Sequence, residues 1–203
     1  MKNQDEDILI IGGGIVGVCS AYYLLKAGRK VTLLEQSDLS NGCSFGNAGI
    51  IVPSHSIPLP VPGVVKQAVK WMFNPKSPFY IKPRLDFTLL SWLWQFRSNC
   101  NEKTMLNHLS VLSSLTQASL SLYDELIETE DLDCDYNHSG SLYLFKTNHG
   151  FEHGLKEASL MEEYGITSKQ LNPEESHNLD PNISPQIAGA IYFKNDANIN
   201  PAQ

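Results

Sequence analysis

The first 35 residues of the chain constrain its fold more than any other segment. Residues 7–11 form a short apolar run rich in β-branched side chains, and this run stops at three consecutive glycines, Gly12–Gly14. A helical pattern follows over residues 15–27, and a second β-branched run over residues 31–34 ends at Glu35. This order predicts a buried strand, a glycine turn, a helix and a second strand parallel to the first. The segment is therefore predicted to be a βαβ unit.

The glycine spacing within this unit indicates what it binds. Gly12, Gly14 and Gly17 fit the pattern G-x-G-x-x-G, whose glycines allow a tight turn, a close approach to a pyrophosphate and close helix–strand packing. The helix N-terminus adds backbone N–H groups and the positive end of the helix dipole. Glu35, which lies 18 residues after Gly17, can accept hydrogen bonds from both hydroxyls of an adenosine ribose and disfavours the 2′-phosphate of NADP. The pattern predicts a dinucleotide site.

A second glycine-containing segment, Ser44–Gly49, comes soon after the acidic residue. Eight of the 14 glycines of the chain lie within its first 49 residues. A loop of this kind can lie along a cofactor with its backbone amides exposed. The concentration of glycine here favours backbone pressed against a ligand over ordinary turns.

Composition excludes several classes of protein. The 203 residues are 42% hydrophobic and 18% charged, which is enough apolar material for a core and argues against disorder. The net charge of −7 argues against nonspecific nucleic-acid binding. There is no apolar run of about 20 residues to cross a membrane, and the polar residues 1–7 do not resemble a secretory signal. The four cysteines lack a C-x-x-C motif, so we expect no zinc site and free cytosolic thiols, although two could pair.

Several blocks of the sequence resemble the D-amino acid oxidase superfamily of flavoproteins and, within it, the bacterial FAD-dependent D-amino acid dehydrogenases. The blocks follow the order found in that family and are residues 8–22, Glu35, 44–51, 62–73, 92–100, 140–146 and 189–196. The resemblance implies FAD as cofactor. It also implies oxidative deamination of a D-amino acid to a 2-oxo acid and ammonia, with the electrons passing to a quinone or another acceptor rather than to oxygen.

The resemblance assigns the cofactor contacts by position. The glycine turn would hold the pyrophosphate, Glu35 the adenosine ribose, and the segment Ser44–Gly49 would run toward the flavin. The predicted FAD-binding residues are Ile10, Gly12, Gly13, Gly14, Ile15, Val16, Gly17, Glu35, Gln36, Ser44, Asn47, Ala48 and Gly49. Gln36 stands where the family often has a basic residue, which weakens one contact. No catalytic residue is assigned, because the flavin carries the chemistry.

The predicted fold is α/β, or α+β overall: a Rossmann-like FAD-binding βαβ unit with inserted helical and antiparallel segments of a substrate domain. Residues 1–52 are the first part of the FAD-binding domain, residues 53–193 the cap or substrate segments, and residues 194–203 the start of the return to the FAD-binding domain. The inserted part is predicted to be helical over 62–130 and mixed over 140–193. Only two parallel strands can be assigned, and the likeness stops about halfway along the family. We therefore expect a truncated chain that is inactive alone.

A long helix is predicted over residues 101–130, with Asn101 as its N-cap. Leucine and methionine residues recur there at spacings of three or four and predict a stripe that faces the core. The stripe consists of Met105, Leu109, Leu112, Leu115, Leu122 and Leu126.

The segment 53–97 combines aromatic rings with positive charge. It holds eight of the 19 aromatic residues, and six basic residues against one acidic residue give it a charge of +5. One interpretation is a helical cap over the flavin with buried tryptophans. The other is a surface that meets anionic lipid, on the cytoplasmic face of the inner membrane, in an otherwise cytoplasmic protein. His55, just after the glycine loop, is a candidate to face the flavin.

Three classes of function follow. The first is an FAD-dependent dehydrogenase that takes a D-amino acid as its small-molecule substrate, with D-hydroxyproline or another secondary amine as a near alternative. The second is an NAD-dependent dehydrogenase, and the third a nonenzymatic remnant that binds a nucleotide. The visible spectrum of the purified protein separates the first class from the other two.

Overall fold

The computed structural model describes residues 7–39, 42–72, 77 and 86–202. The strands within these ranges are β1 Ile8–Ile11, β2 Val31–Leu34, β3 Ile50–Ile51, β4 Ser141–Phe145, β5 Lys169–Leu171, β6 Gly189–Phe193 and β7 Ala197–Asn198. The helices are α1 Ile15–Lys26, α2 Val64–Met72, α3 Phe87–Asn99, α4 Glu102–Glu130, α5 Asn148–Glu162 and α6 Pro173–Leu179. A one-turn 3₁₀ helix spans Pro53–His55. The predicted mixture of helices with parallel and antiparallel strands is confirmed.

The chain divides into two compact units. The N-terminal unit consists of residues 1–50, 131–137 and 198–203, and the helix–sheet unit of residues 51–130 and 138–197. β3 and β7 pair with each other. The assignment of residues 1–52 to an FAD-binding domain and of residues 53–193 to a cap or substrate domain stays a prediction.

The N-terminal unit contains the predicted βαβ segment. β1 and β2 are parallel, with Ile8 opposite Val31 and Ile11 opposite Leu34. The prediction that β1 is buried is wrong on one face, since Leu9 is 56% and Ile11 83% exposed. Alternate side chains of a strand point to opposite faces, and α1 is the only helix described in this unit, so it covers one face alone.

The helix–sheet unit is built on an antiparallel sheet with strand order β4–β6–β5. Ser141 lies opposite Phe193 at one end of the β4–β6 pair, and Phe145 lies opposite Gly189 at the other. Helices α4 and α5 supply most of the remaining core residues. The buried cluster is Leu109, Ala158, Met161, Ile166, Ile191 and Phe193. Apolar burial between a sheet and two helices therefore holds this unit together.

Helix α4 begins as predicted but does not bury the predicted stripe. The side chain of Asn101 accepts a hydrogen bond from the Thr104 N–H at 3.0 Å, which confirms the cap. Leu109 is fully buried, whereas Leu115 is 61% exposed. The other exposed members of the stripe are Leu112 and Leu122. A helix of 29 residues is about 44 Å long, whereas a five-residue strand extends only about 17 Å, so much of the helix extends past the sheet.

The basic aromatic segment is described in part. Phe73, Lys76, Phe79, Tyr80, Lys82 and Arg84 lie outside the described residues. On α3, Trp92 is 50% and Trp94 73% exposed. The interpretation in which the tryptophans are buried is therefore wrong for these two. None of the helices within the described ranges is long and apolar enough to cross a membrane.

Candidate functional site

The turn between β1 and α1 has a backbone shape that only glycine accommodates. Gly12 has a φ of 108°, in the left-handed region that L-residues avoid. A Cβ on Gly17 would lie 1.9 Å from the carbonyl oxygen of Gly12, so the start of the helix packs directly against the turn. The Gly12 N–H donates to the Leu34 carbonyl at 2.8 Å, which ties the turn to the end of β2. Two of the three glycines of the motif are thus required for steric reasons.

The space in front of this turn is open. A Cβ placed on Gly12 would meet no heavy atom within 4 Å. Ile15 and Val16, in the first turn of α1, are both exposed. Among the described residues, no atom accepts a hydrogen bond from the backbone N–H group of Val16 or of Gly17. Unbonded N–H groups at a helix N-terminus, with room beside them, can bind an anion such as a phosphate.

Glu35 lies at the mouth of the turn, as the sequence predicts. One carboxylate oxygen, Oε2, accepts from the Gly13 N–H at 2.6 Å. The other, Oε1, accepts from the N–H groups of Gln36 at 2.8 Å and Ser37 at 3.1 Å. The hydrogen bond from Gly13, followed by those from Ser37 and Gln36, lowers the pKa of Glu35 below its usual value. The carboxylate is therefore charged at neutral pH.

Two backbone N–H groups that were predicted to bind the pyrophosphate donate instead to side chains of the protein. Glu35 occupies the Gly13 N–H, and the hydroxyl oxygen of Ser44 accepts from the Ile15 N–H at 2.9 Å. A carboxylate oxygen has more than one lone pair, so Glu35 can still accept from a ribose hydroxyl. The pyrophosphate contacts predicted for Gly13 and Ile15 would require these two side chains to move.

The loop that contains Asn47 and Gly49 is fixed by its own side chains. Asn47 Oδ1 accepts from the Gly49 N–H at 2.6 Å, and Asn47 Nδ2 donates to the Ser44 carbonyl. Gly49 has a φ of 63°, and a Cβ there would lie 1.9 Å from the Ile199 carbonyl oxygen. Ala48, between them, is exposed. Hydrogen bonds within the loop and its contact with Ile199 therefore set its shape.

The structure thus brings the glycine turn, Glu35 and Ser44 together. Ile10 packs close to Gly17, since the Ile10 Cγ2 would lie 3.5 Å from a Cβ on Gly17. Gln36 contributes its backbone N–H to Glu35. Sequence reasoning missed Leu39, whose Cδ2 would lie 2.2 Å from a Cβ on Gly13. No motif in the sequence singles out that leucine.

The chemistry of the arrangement is that of binding. It offers N–H donors to an anion and a charged carboxylate to a pair of hydroxyls. In the part of the chain that the structure describes, no group of three or more His, Cys, Asp or Glu residues is placed to hold a metal ion.

Comparison with known families identifies the kind of protein in which this turn occurs. The sequence profile of a family described as FAD dependent oxidoreductase matches residues 7–203 of the chain. The match covers both the glycine turn and the helix–sheet unit. It agrees with the resemblance found in the sequence.

Individual relatives point the same way. A D-amino acid dehydrogenase of Methylobacterium nodulans is 35% identical over 166 residues, which are 81% of this chain and 39% of that protein. A D-amino acid dehydrogenase of Helicobacter pylori is 30% identical over 198 residues, which are 98% of this chain and 47% of that protein. The chain thus spans less than half the length of both relatives, as expected from the sequence.

A solved structure resembles the fold. The crystal structure of L-proline dehydrogenase from P. horikoshii matches with a TM-score of 0.63 and 19% identity, over 97% of this chain and 38% of that chain. At this identity the likeness concerns the fold only.

Proposed function

The chain belongs to the family of FAD-dependent oxidoreductases, and from this premise we propose that it forms the cofactor-binding part of an enzyme that oxidises D-amino acids. The observation that carries the proposal is the glycine turn, with open space in front of Gly12 and the Glu35 carboxylate at its mouth. FAD is the cofactor of the family, so an NAD-dependent enzyme or a nonenzymatic remnant is the weaker alternative.

The residues of the turn fit the parts of FAD. The N–H groups of Val16 and Gly17 would bind the pyrophosphate, because they are unbonded and lie at the positive end of α1. Glu35 would accept from the adenosine ribose. The loop Ser44–Gly49 would line the path toward the flavin. FAD, when bound, supplies the acceptor for the two electrons of the oxidation.

The reaction is proposed to be oxidative deamination of a D-amino acid to a 2-oxo acid and ammonia. Support comes from the two relatives, which are both named D-amino acid dehydrogenase. The name dehydrogenase favours a quinone or another acceptor over oxygen. D-hydroxyproline or another secondary amine is the second substrate class.

The test is to purify the full-length protein and assay it with an artificial dye as electron acceptor. We expect the visible absorption bands of a flavin, and dye reduction with D-amino acids that exceeds dye reduction with the matching L-amino acids. Reduction with secondary amines alone would favour the second substrate class. A colourless, folded protein that binds NADH would contradict the proposal.

We also propose that α2 and α3 make contact with an anionic membrane surface. Trp94 is exposed on α3, together with Phe87. An apolar groove of about 310 Å³ lies between the two helices and is bordered by Arg97. Aromatic side chains beside basic ones are typical of interfacial helices. A protein that passes electrons to a quinone would gain access to its acceptor at that surface.

Sedimentation with liposomes tests the membrane contact. We expect binding to vesicles that contain anionic lipid, weaker binding to neutral vesicles and a loss of binding in Trp94→Ser. Leu115→Ser is the control, because Leu115 is also apolar and exposed but lies on α4. Equal binding of both variants, or none by the unmodified protein at low salt, would contradict the proposal.

A further inference from the structure

The 3₁₀ turn Pro53–His55 is held unusually firmly for so short an element. Pro53, Ser54 and Ser56 are buried, and His55 alone is exposed. The Ser56 hydroxyl is 2.7 Å from the Pro53 carbonyl, to which it donates, and 2.7 Å from the Thr116 hydroxyl. The turn therefore presents a single side chain, the imidazole of His55, from a fixed backbone.

A chain of hydrogen bonds runs from this imidazole to a buried carboxylate. His55 Nδ1 lies 3.0 Å from the Tyr143 hydroxyl, and that hydroxyl lies 3.1 Å from Ser54 Oγ. The Ser54 hydroxyl donates to Asp196 Oδ2, while the Ser54 N–H donates to Asp196 Oδ1 at 3.2 Å. Asp196 is only 1% exposed. A buried carboxylate requires such partners, because removing it from water is costly.

Counting hydrogens fixes the direction of every bond in this chain. A carboxylate accepts only, so the one hydroxyl hydrogen of Ser54 goes to Asp196. Ser54 Oγ must then accept from the Tyr143 hydroxyl, whose own hydrogen is used in that bond. Tyr143 Oη must in turn accept from His55, so the hydrogen of the imidazole is on Nδ1. The second nitrogen, Nε2, carries a lone pair.

Tyr143 is suited to its place in this chain. Burial, above all, raises the pKa of the Tyr143 phenol; the hydrogen bond with Ser54 opposes this effect, and the charge of Asp196 adds to it. The phenol thus keeps its hydrogen at neutral pH. Another titratable group, Glu157, lines a cavity of about 50 Å³ together with Ser54 and Tyr143. That carboxylate is partly exposed and lies 3.6 Å from His153.

We infer that Asp196, acting through Ser54 and Tyr143, holds His55 in the Nδ1–H tautomer, and that His55 Nε2 accepts the proton of the substrate ammonium group. This inference rests on the proposed function for the identity of the substrate. An amino acid is mostly an ammonium ion at neutral pH and must lose one proton before its nitrogen lone pair can assist oxidation. In the step, an N–H bond of R–NH₃⁺ breaks and an Nε2–H bond forms, giving R–NH₂ and an imidazolium.

The imidazolium is compatible with the same hydrogen bonds. His55 keeps its Nδ1–H bond to Tyr143 in both protonation states, so accepting the proton does not disturb the chain of hydrogen bonds. His55 is the proton acceptor in this scheme, whereas Tyr143, Ser54 and Asp196 are positioning residues. His55 follows Gly49, the end of the candidate FAD loop, by six residues in the sequence.

The tautomer can be read directly from the ¹⁵N shifts of labelled histidine in the flavin-loaded protein, with His55→Gln identifying the signal. We expect the Nδ1–H tautomer in the unmodified protein. In Asp196→Asn the amide would donate to Ser54 Oγ, every hydrogen bond would reverse, and His55 would change to the Nε2–H tautomer. Tyr143→Phe removes the hydroxyl that binds His55 Nδ1, so His55 should no longer be held in one tautomer. Tyr192→Phe is the matched control, since Tyr192 donates to the Ser139 carbonyl outside this chain.

Kinetics test the proton-accepting role. Loss of a general base typically costs about a hundredfold or more in rate, so kcat/KM at neutral pH should fall by that factor in His55→Gln, and added imidazole should restore part of it. An unchanged kcat/KM in His55→Gln, or an unchanged tautomer in Asp196→Asn, would overturn the inference. If no amine reduces the flavin although the tautomer responds as expected, the proposed function fails and the positioning by Asp196 stands.

Discussion

The two units of the chain are held in shape by different means. In the N-terminal unit, Leu9, Ile11 and Val16 are exposed, and the turn depends on glycine geometry and on hydrogen bonds to Glu35. In the helix–sheet unit, apolar side chains around Leu109 are buried in one cluster. Substitutions in the first unit should therefore change cofactor binding most, whereas substitutions in the second should change the free energy of unfolding.

The largest effect on stability is expected in the helix–sheet unit. Leu109→Ala should lower the free energy of unfolding by about 2–5 kcal/mol, because it leaves a cavity at a fully buried position. Leu115→Ala on the same helix is the control and should cost about 0.5 kcal/mol or less, because that side chain is exposed. Urea unfolding followed by circular dichroism measures both. Equal losses would show that α4 is not packed as described.

The largest effect on cofactor binding is expected at Gly17. Gly17→Ala places a Cβ 1.9 Å from the Gly12 carbonyl oxygen, and relief of that overlap should weaken FAD binding about ten- to hundredfold. Gly42→Ala serves as the matched control, since its Cβ would meet nothing within 4 Å. Fluorescence titration with FAD gives the two affinities. Similar FAD affinities in the two variants would show that the glycine turn is not part of the cofactor site.

Glu35 should contribute less than the backbone of the turn. Glu35→Gln keeps the size of the side chain but removes its charge, and we expect FAD affinity to fall about tenfold, because hydrogen bonds to charged groups are the stronger ones. Equilibrium dialysis with FAD measures the change. Glu152→Gln, an exposed carboxylate on α5, should leave the affinity unchanged.

The same carboxylate predicts that the stability of the folded protein depends on pH. Its pKa is lowered in the folded protein, so its contribution to stability is present above the unfolded-state pKa and is lost as the pH falls through the folded-state pKa. The difference in thermal unfolding temperature between the unmodified protein and Glu35→Gln should therefore become smaller as the pH is lowered. A difference that does not change with pH would contradict the hydrogen bonds described for this carboxylate.

The smallest effect is expected at the start of α6. Asn172 accepts from the Glu175 N–H, and the Glu175 side chain accepts from the Asn172 N–H. Asn172→Ala should lower the free energy of unfolding by about 1 kcal/mol without a change in FAD affinity. Urea unfolding and FAD titration of one preparation check both statements.

The sequence predicts best where local rules decide the structure. The strand–glycine–helix–strand order and the Asn101 cap could be predicted because they depend on neighbouring residues. The contact of Ser44 with the Ile15 N–H could not, since it joins residues 29 positions apart. The exposure of Leu115 was also missed, because periodicity identifies an apolar stripe but not the length of the surface against which it packs.

The bond between Ser54 and Asp196 has a consequence for biosynthesis, because it joins residues 142 positions apart. Strand β6, the centre of its sheet, likewise comes after most of the residues of this unit in the sequence. On the ribosome, the early part of this unit must therefore wait for almost the whole 203-residue stretch before it can reach its native partners. Nascent chains stalled before residue 189 should remain sensitive to protease, whatever the stability of the finished product.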